Sequence, residues 1–136
     1  MSGSDLSGGK SIKPPRKTGF AHLIAAATYS GAGLRRLLRE SAFRQELVIG
    51  VLVLAGLALW GVPWPKILGF SIFLLLLTAV EALNTAIEVL VDHLSPEWSE
   101  FARDAKDLGS LAVGATLLGG ALFLAWIIAG EAGLFG

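Results

Sequence analysis

One apolar stretch of the chain carries three polar residues at helical spacing: Glu81, Asn84 and Glu88, within Glu81-Ala-Leu-Asn-Thr-Ala-Ile-Glu88. Positions i, i+3 and i+7 share one face of an α-helix. The two carboxylates then stand about 20° apart around the axis and about 10 Å apart along it. A carboxylate inside hydrocarbon is costly and is kept for a partner or a task. A deep one can take a proton from a hydroxyl. One nearer the surface can serve a hard divalent cation or simply face the headgroups.

Two further polar clusters stand at the ends of apolar runs. Arg103-Asp-Ala-Lys106-Asp107-Leu-Gly-Ser110 offers Lys106 as a point charge for a phosphate and Asp107 as an acceptor or cation partner. Glu40-Ser-Ala-Phe-Arg44-Gln45-Glu46 leads into a run without charge, which sets Arg44 and Glu46 at the membrane boundary beside the level of Glu88. The three clusters fall in one layer. It holds carboxylates for a cation, basic groups for phosphates and one deeper base, the parts that phosphoryl transfer needs. A base that only lipid can reach implies a lipid alcohol as the acceptor.

The elements that must position these groups follow from the distribution of charge. No charged residue occurs from Leu47 to Pro65 or from Leu108 to Gly130, and Glu81 and Glu88 are the only charges from Ile67 to Val91. A helix needs about 20 residues to cross a bilayer core of about 30 Å. The expected fold is therefore an all-α integral membrane protein with transmembrane helices over 43–63, 66–91 and 105–130. A cytoplasmic loop is expected over 92–104 and a short tail over 131–136. Phe20, Leu23, Ile24, Ala27, Gly31, Leu34 and Leu38 recur at steps of three and four, which describes an amphipathic surface helix over 19–40. Residues 1–18 are rich in Gly, Ser, Lys and Pro and are expected to be disordered. Eight of the eleven Lys and Arg residues precede the charge-free run that opens at Leu47, and Arg103 and Lys106 lie between the apolar runs of the second and third spans. By the positive-inside rule the N-terminus is cytoplasmic and the C-terminus outside.

Composition closes several other routes. The net charge is +0, so the chain as a whole exerts no bulk pull on nucleic acid, and with Cys 0 there is neither thiolate nor disulfide. A non-enzymatic reading remains, with Glu81 and Glu88 as relay carboxylates of a proton or cation transport module. The sequence has no internal repeat in its favour.

The set Ala42-Phe-Arg-Gln-Glu46, Glu81-x-x-Asn84-x-x-x-Glu88, Asp92 and Ala105-Lys-Asp107 with Ser110 resembles the prokaryotic diacylglycerol kinase family over about residues 18–130. The resemblance implies a homotrimer with active sites shared between subunits, in the bacterial inner membrane, making phosphatidate from MgATP and diacylglycerol. It implies Glu81 as general base and Glu40 and Glu88 as ligands of Mg2+. The nucleotide would meet Tyr29, Glu40, Glu88, Asp92, Lys106 and Asp107. The lipid and its supports would be Gln45, Arg44, Asn84 and Ser110. A further nucleotide contact falls on His22, where a familiar member carries a basic residue. Asp104 stands where an Arg is expected, with Arg103 one position away. Relatives in other bacteria phosphorylate undecaprenol, a polyisoprenoid alcohol, with the same machinery, so that substrate is the alternative.

Overall fold

The computed structural model describes residues 20–134, with the side chains of 20–23, 25 and 26 outside the description. The expected disordered tail over 1–18 and the side chain of His22 therefore lie outside the description. Among the described residues the secondary structure is helical: α1 (Phe20–Leu37), α2 (Ser41–Trp60), α3 (Trp64–Leu94) and α4 (Glu100–Glu131). α2, α3 and α4 are each long and apolar enough to cross a membrane. Only 17%, 17% and 11% of their most apolar windows are buried inside the chain, so the rest of that surface needs an apolar covering. For a chain this apolar that covering is the membrane.

α2 and α3 form a hairpin whose turn is chemically determined. Gly61 adopts φ 83, the left-handed conformation that glycine enters without a Cβ clash. Its N–H donates to Ala58 O at 3.1 Å and Val62 N–H to Leu57 O at 3.1 Å. That pair of bonds is a Schellman ending, and its usual apolar contact is present because Leu57 and Val62 are both buried in one cluster with Phe70 and Ile127. Proline then opens α3, where the missing N–H costs nothing.

α4 starts earlier than the sequence reading expected. Ser99 caps it, its Oγ accepting from Ala102 N–H at 3.2 Å, and Glu100 puts a negative charge at the helix N-terminus. α3 in turn continues to Leu94. The connection is thus Ser95–Ser99 rather than 92–104, and Asp92, Arg103 and Asp104 are helical. The physical reason is that Ser99 with Glu100 is a stronger start signal than the change in hydropathy near Ala105. α3 and α4 have 31 and 32 residues. At about 1.5 Å per residue both outrun a bilayer core of about 30 Å by roughly half its thickness.

α3 is the central helix, packed along its length on α4 and over shorter stretches on α2 and α1. Small residues admit large ones at the seams. Leu74 lies over Gly50 of α2, Phe123 over Gly69, and the ring of Phe73 fills the space beside Gly120 of α4. Near the hairpin Lys66 Nζ donates to Glu131 Oε1 at 2.8 Å and sits 5.1 Å from the Trp126 ring. The pair joins the start of α3 to the end of α4 while half-buried on both sides. Lys66→Met should lower stability by about 1–2 kcal/mol, between the values of exposed and buried pairs, because Glu131 loses its counter-charge. Thermal unfolding in detergent checks this, and Lys66→Met combined with Glu131→Leu should recover much of the loss.

Candidate active site

The polar face of α3 continues a groove. Phe70, Phe73, Leu74 and Leu77 of α3, with Gly50 and Val53 of α2 and Gly120 and Leu124 of α4, line an apolar channel between α2 and α4. Helical spacing carries that face on to Glu81, Asn84, Glu88 and Asp92. Counting from Trp64 at about 1.5 Å per residue, Glu81 lies about 26 Å along the helix and Glu88 about 36 Å. In a core of about 30 Å, Glu81 falls just inside the hydrocarbon and Glu88 beyond it. Glu81 is 6% exposed and Thr85, one turn on, 7%. Asn84 and Glu88 are half-buried, and Asn84 Nδ2 donates to Glu88 Oε1 at 3.0 Å.

Sequence reasoning set Glu46 at the membrane boundary and gave it no role. The structure places its carboxylate against that of Glu81, across the α2–α3 seam and at the end of the groove. Carboxylates are acceptors only, and the buried Glu46 Oε2 has no hydrogen-bond donor. The signal was present in the sequence. Glu46, Gly50, Val53 and Leu57 stand at i, i+4, i+7 and i+11, one face of α2, and that face packs on α3.

Past Glu88 the site opens into a polar cavity under the α3–α4 connection. Asp92, Ser95, Trp98, Arg103, Lys106 and Asp107 are among its lining. Lys106 Nζ donates to Asp92 Oδ1 across the helix pair, joining two residues expected at the nucleotide. Ser95, Trp98 and Ser99 were not singled out from the sequence, since serine and tryptophan in a turn carry no chemical signature. Arg103 pairs with its neighbour Asp104, Nη2 to Oδ1 at 2.8 Å, on an exposed surface.

The chain matches a known family over most of its length. A profile of prokaryotic diacylglycerol kinase covers residues 28–128. A diacylglycerol kinase of Sinorhizobium sp is 40% identical over 113 residues, spanning 83% of this chain and 82% of the relative. That of Escherichia coli (strain K12) is 43% identical over 100 residues, 71% of this chain and 80% of the relative. The enzyme of Helicobacter pylori is 36% identical over 103 residues, 73% and 78%. The chain belongs to the prokaryotic diacylglycerol kinase family.

The remaining expected residues are not among those that line the apolar groove or the polar cavity. Glu40 is half-buried and pairs with Arg36 of α1. Arg44 Nη1 donates to Leu38 O at 3.2 Å and Arg39 O at 2.9 Å, closing the carbonyl end of α1 onto α2. Gln45 is exposed beside Arg44 in a shallow hollow. Tyr29 on α1 is exposed and is not among the residues lining the polar cavity, and Ser110 is exposed on α4. Among the described residues no group of three His, Cys, Asp or Glu gathers as a metal site. Two facing carboxylates in an apolar seam cost stability, and Glu46→Gln gives Glu81 an amide donor instead. That variant should gain about 1 kcal/mol in unfolding experiments, the net worth of a hydrogen bond. Unchanged or reduced stability would show that the opposed pair carries no cost.

Proposed function

We propose that this chain transfers the γ-phosphoryl group of ATP to the hydroxyl of diacylglycerol, giving phosphatidate and ADP. The observation that carries the reading is the position of Glu81, buried at the polar end of a groove that opens to lipid and about three helical turns below a polar cavity that begins at Asp92. A diacylglycerol fits that arrangement with its chains in hydrocarbon and its hydroxyl at Glu81. The names of the relatives support the same substrate.

Glu81 accepts the hydroxyl proton as the lipid oxygen attacks phosphorus. The bond to the bridging oxygen of ADP breaks as the new one forms, and negative charge spreads over the transferred oxygens. Lys106 supplies positive charge there, with Asp92 fixing its ammonium. Tyr29 and Asp107 meet the nucleotide. Gln45, Arg44, Asn84 and Ser110 hold the lipid or support the base. Mg2+ bound at Glu88 and Glu40 would neutralise phosphate charge. This donor set fits that ion, which keeps few protein carboxylates and takes its other ligands from phosphates and water.

The chain acts in the bacterial inner membrane with its N-terminus cytoplasmic. The excess of Lys and Arg before α2 and at the α3–α4 turn supports this orientation. α1 lies on the same surface as an amphipathic helix, its basic end at the headgroups. The working unit is a homotrimer. One chain leaves the groove open and its carboxylates dispersed, and closed symmetry is the usual way for identical subunits to complete a site.

Glu81→Gln should lower turnover by at least about a hundredfold while ATP binding is kept. Transfer of labelled phosphate from ATP to diacylglycerol measures it, and near-normal turnover would remove Glu81 as the base. Parallel reactions with undecaprenol separate the two alcohols. Mixing Glu40→Ala chains with Glu81→Gln chains, each inactive alone, should restore part of the activity if a site draws on two subunits. Mixed trimers that stay inactive would place each site within one chain.

A further inference from the structure

Asn84 stands in a tight position at the α3–α4 seam. Its Nδ2 donates to Glu88 Oε1 at 3.0 Å, and its Oδ1 is buried without a hydrogen bond. Chemistry fixes this orientation, because the reverse one would set an amide oxygen against a carboxylate oxygen. The Oδ1 occupies the volume that a Cβ on Gly109 of α4 would take. The same Cβ would meet Asn84 Cγ at 3.3 Å and Asn84 Cα at 4.0 Å. Gly109 is itself buried. The amide carbon and backbone of α3 thus leave the side chain no retreat on that side.

We propose that Gly109 is a positioning residue for Glu88: its missing side chain admits the Asn84 carboxamide into the seam, and the carboxamide holds Glu88 in the orientation that receives the metal–nucleotide. Asn84 is fixed by shape at one end and bonded to a carboxylate at the other. Any side chain at Gly109 turns the amide, breaks its bond to Glu88 and frees that carboxylate to rotate. Gly109 touches neither substrate nor metal, and acts through Asn84. The inference rests on the reading of Glu88 as a metal ligand given above, and extends it to α4.

The test uses the full-length protein in detergent with a non-hydrolysable ATP analogue, and follows Mn2+ binding by electron paramagnetic resonance. Gly109→Ala should weaken Mn2+ binding by about tenfold, the lower range for losing a group that orients a ligand. Asn84→Ala should weaken it equally. The double variant should bind like Asn84→Ala alone, since the added methyl then has nothing to displace. Wild-type Mn2+ affinity in Gly109→Ala overturns the proposal, as does a double variant in which the two losses multiply. If Gly109→Ala fails to fold, the double variant decides. Folded and with the affinity of Asn84→Ala it upholds the proposal; unfolded, or with another affinity, it overturns it.

Glu88→Gln separates this inference from its premise. If that variant binds Mn2+ like wild type, the metal role of Glu88 falls. The positioning is then judged by the side-chain amide resonance of Asn84 alone. A shift of that resonance in Gly109→Ala upholds the contact, and an unmoved resonance overturns it.

Discussion

An ionisable carboxyl group at the inner edge of a hydrocarbon layer has few ways to be held. Water is scarce there, and each lone pair left without a donor costs free energy. Glu81 stands in that setting buried between helices and in no salt bridge among the described residues, so the surrounding packing must offset its cost. At 6% exposure it is screened by α3 itself and by Glu46 across the seam. The flanking geometry follows from this need. α2 and α4 flank the same face of α3, and the seam residues there are Gly50, Gly109 and Gly120, which leave room for the side chains of Leu74, Asn84 and Phe73.

Helix length sets the second level of the arrangement. α2, with 20 residues, matches the hydrocarbon, whereas α3 and α4 exceed it. The excess lies at the end away from the tight hairpin, because the Schellman turn and the following proline hold the other end in register. Two helices standing out of the bilayer side by side make a polar wall. Asp92 and Lys106 bond across it, and the Ser99 cap fixes where α4 enters it. The buried Glu81 and the polar cavity at Asp92 are thereby separated by about three turns of one helix.

Much of this was legible in the sequence, for reasons that differ by element. The spans follow from uninterrupted apolar length, and the shared face of Glu81, Asn84 and Glu88 from helical period. The Asn84–Glu88 bond is a local i, i+4 contact that the period already allows. What the sequence does not carry is register between helices. Asp92 and Lys106 are 14 positions apart, and nothing local indicates that they touch. Glu46 was read with its neighbours Arg44 and Gln45 as a boundary charge, although its helical face is that of Gly50 and Val53. The connection was drawn too wide because hydropathy changes gradually there, whereas the Ser99 cap is a single-residue signal. Gly109 was indistinguishable from other small residues until its neighbour was known.

The two ends of the bundle treat charge in opposite ways. Near the hairpin, Lys66 and Glu131 are of opposite sign, hydrogen-bonded and stacked by Trp126, beside the best-buried apolar cluster of Leu57, Val62, Phe70 and Ile127. At the other end two carboxyl groups, Glu46 and Glu81, face each other across the seam, and Asn84 leaves an oxygen without a donor. An isolated domain would not keep the second arrangement, since each of its features opposes folding. It persists because α3 passes through both ends as one continuous helix, so packing at the hairpin fixes the position of side chains several turns away. The apolar end supplies the rigidity, and the polar end can then keep groups that are poorly satisfied within the chain itself.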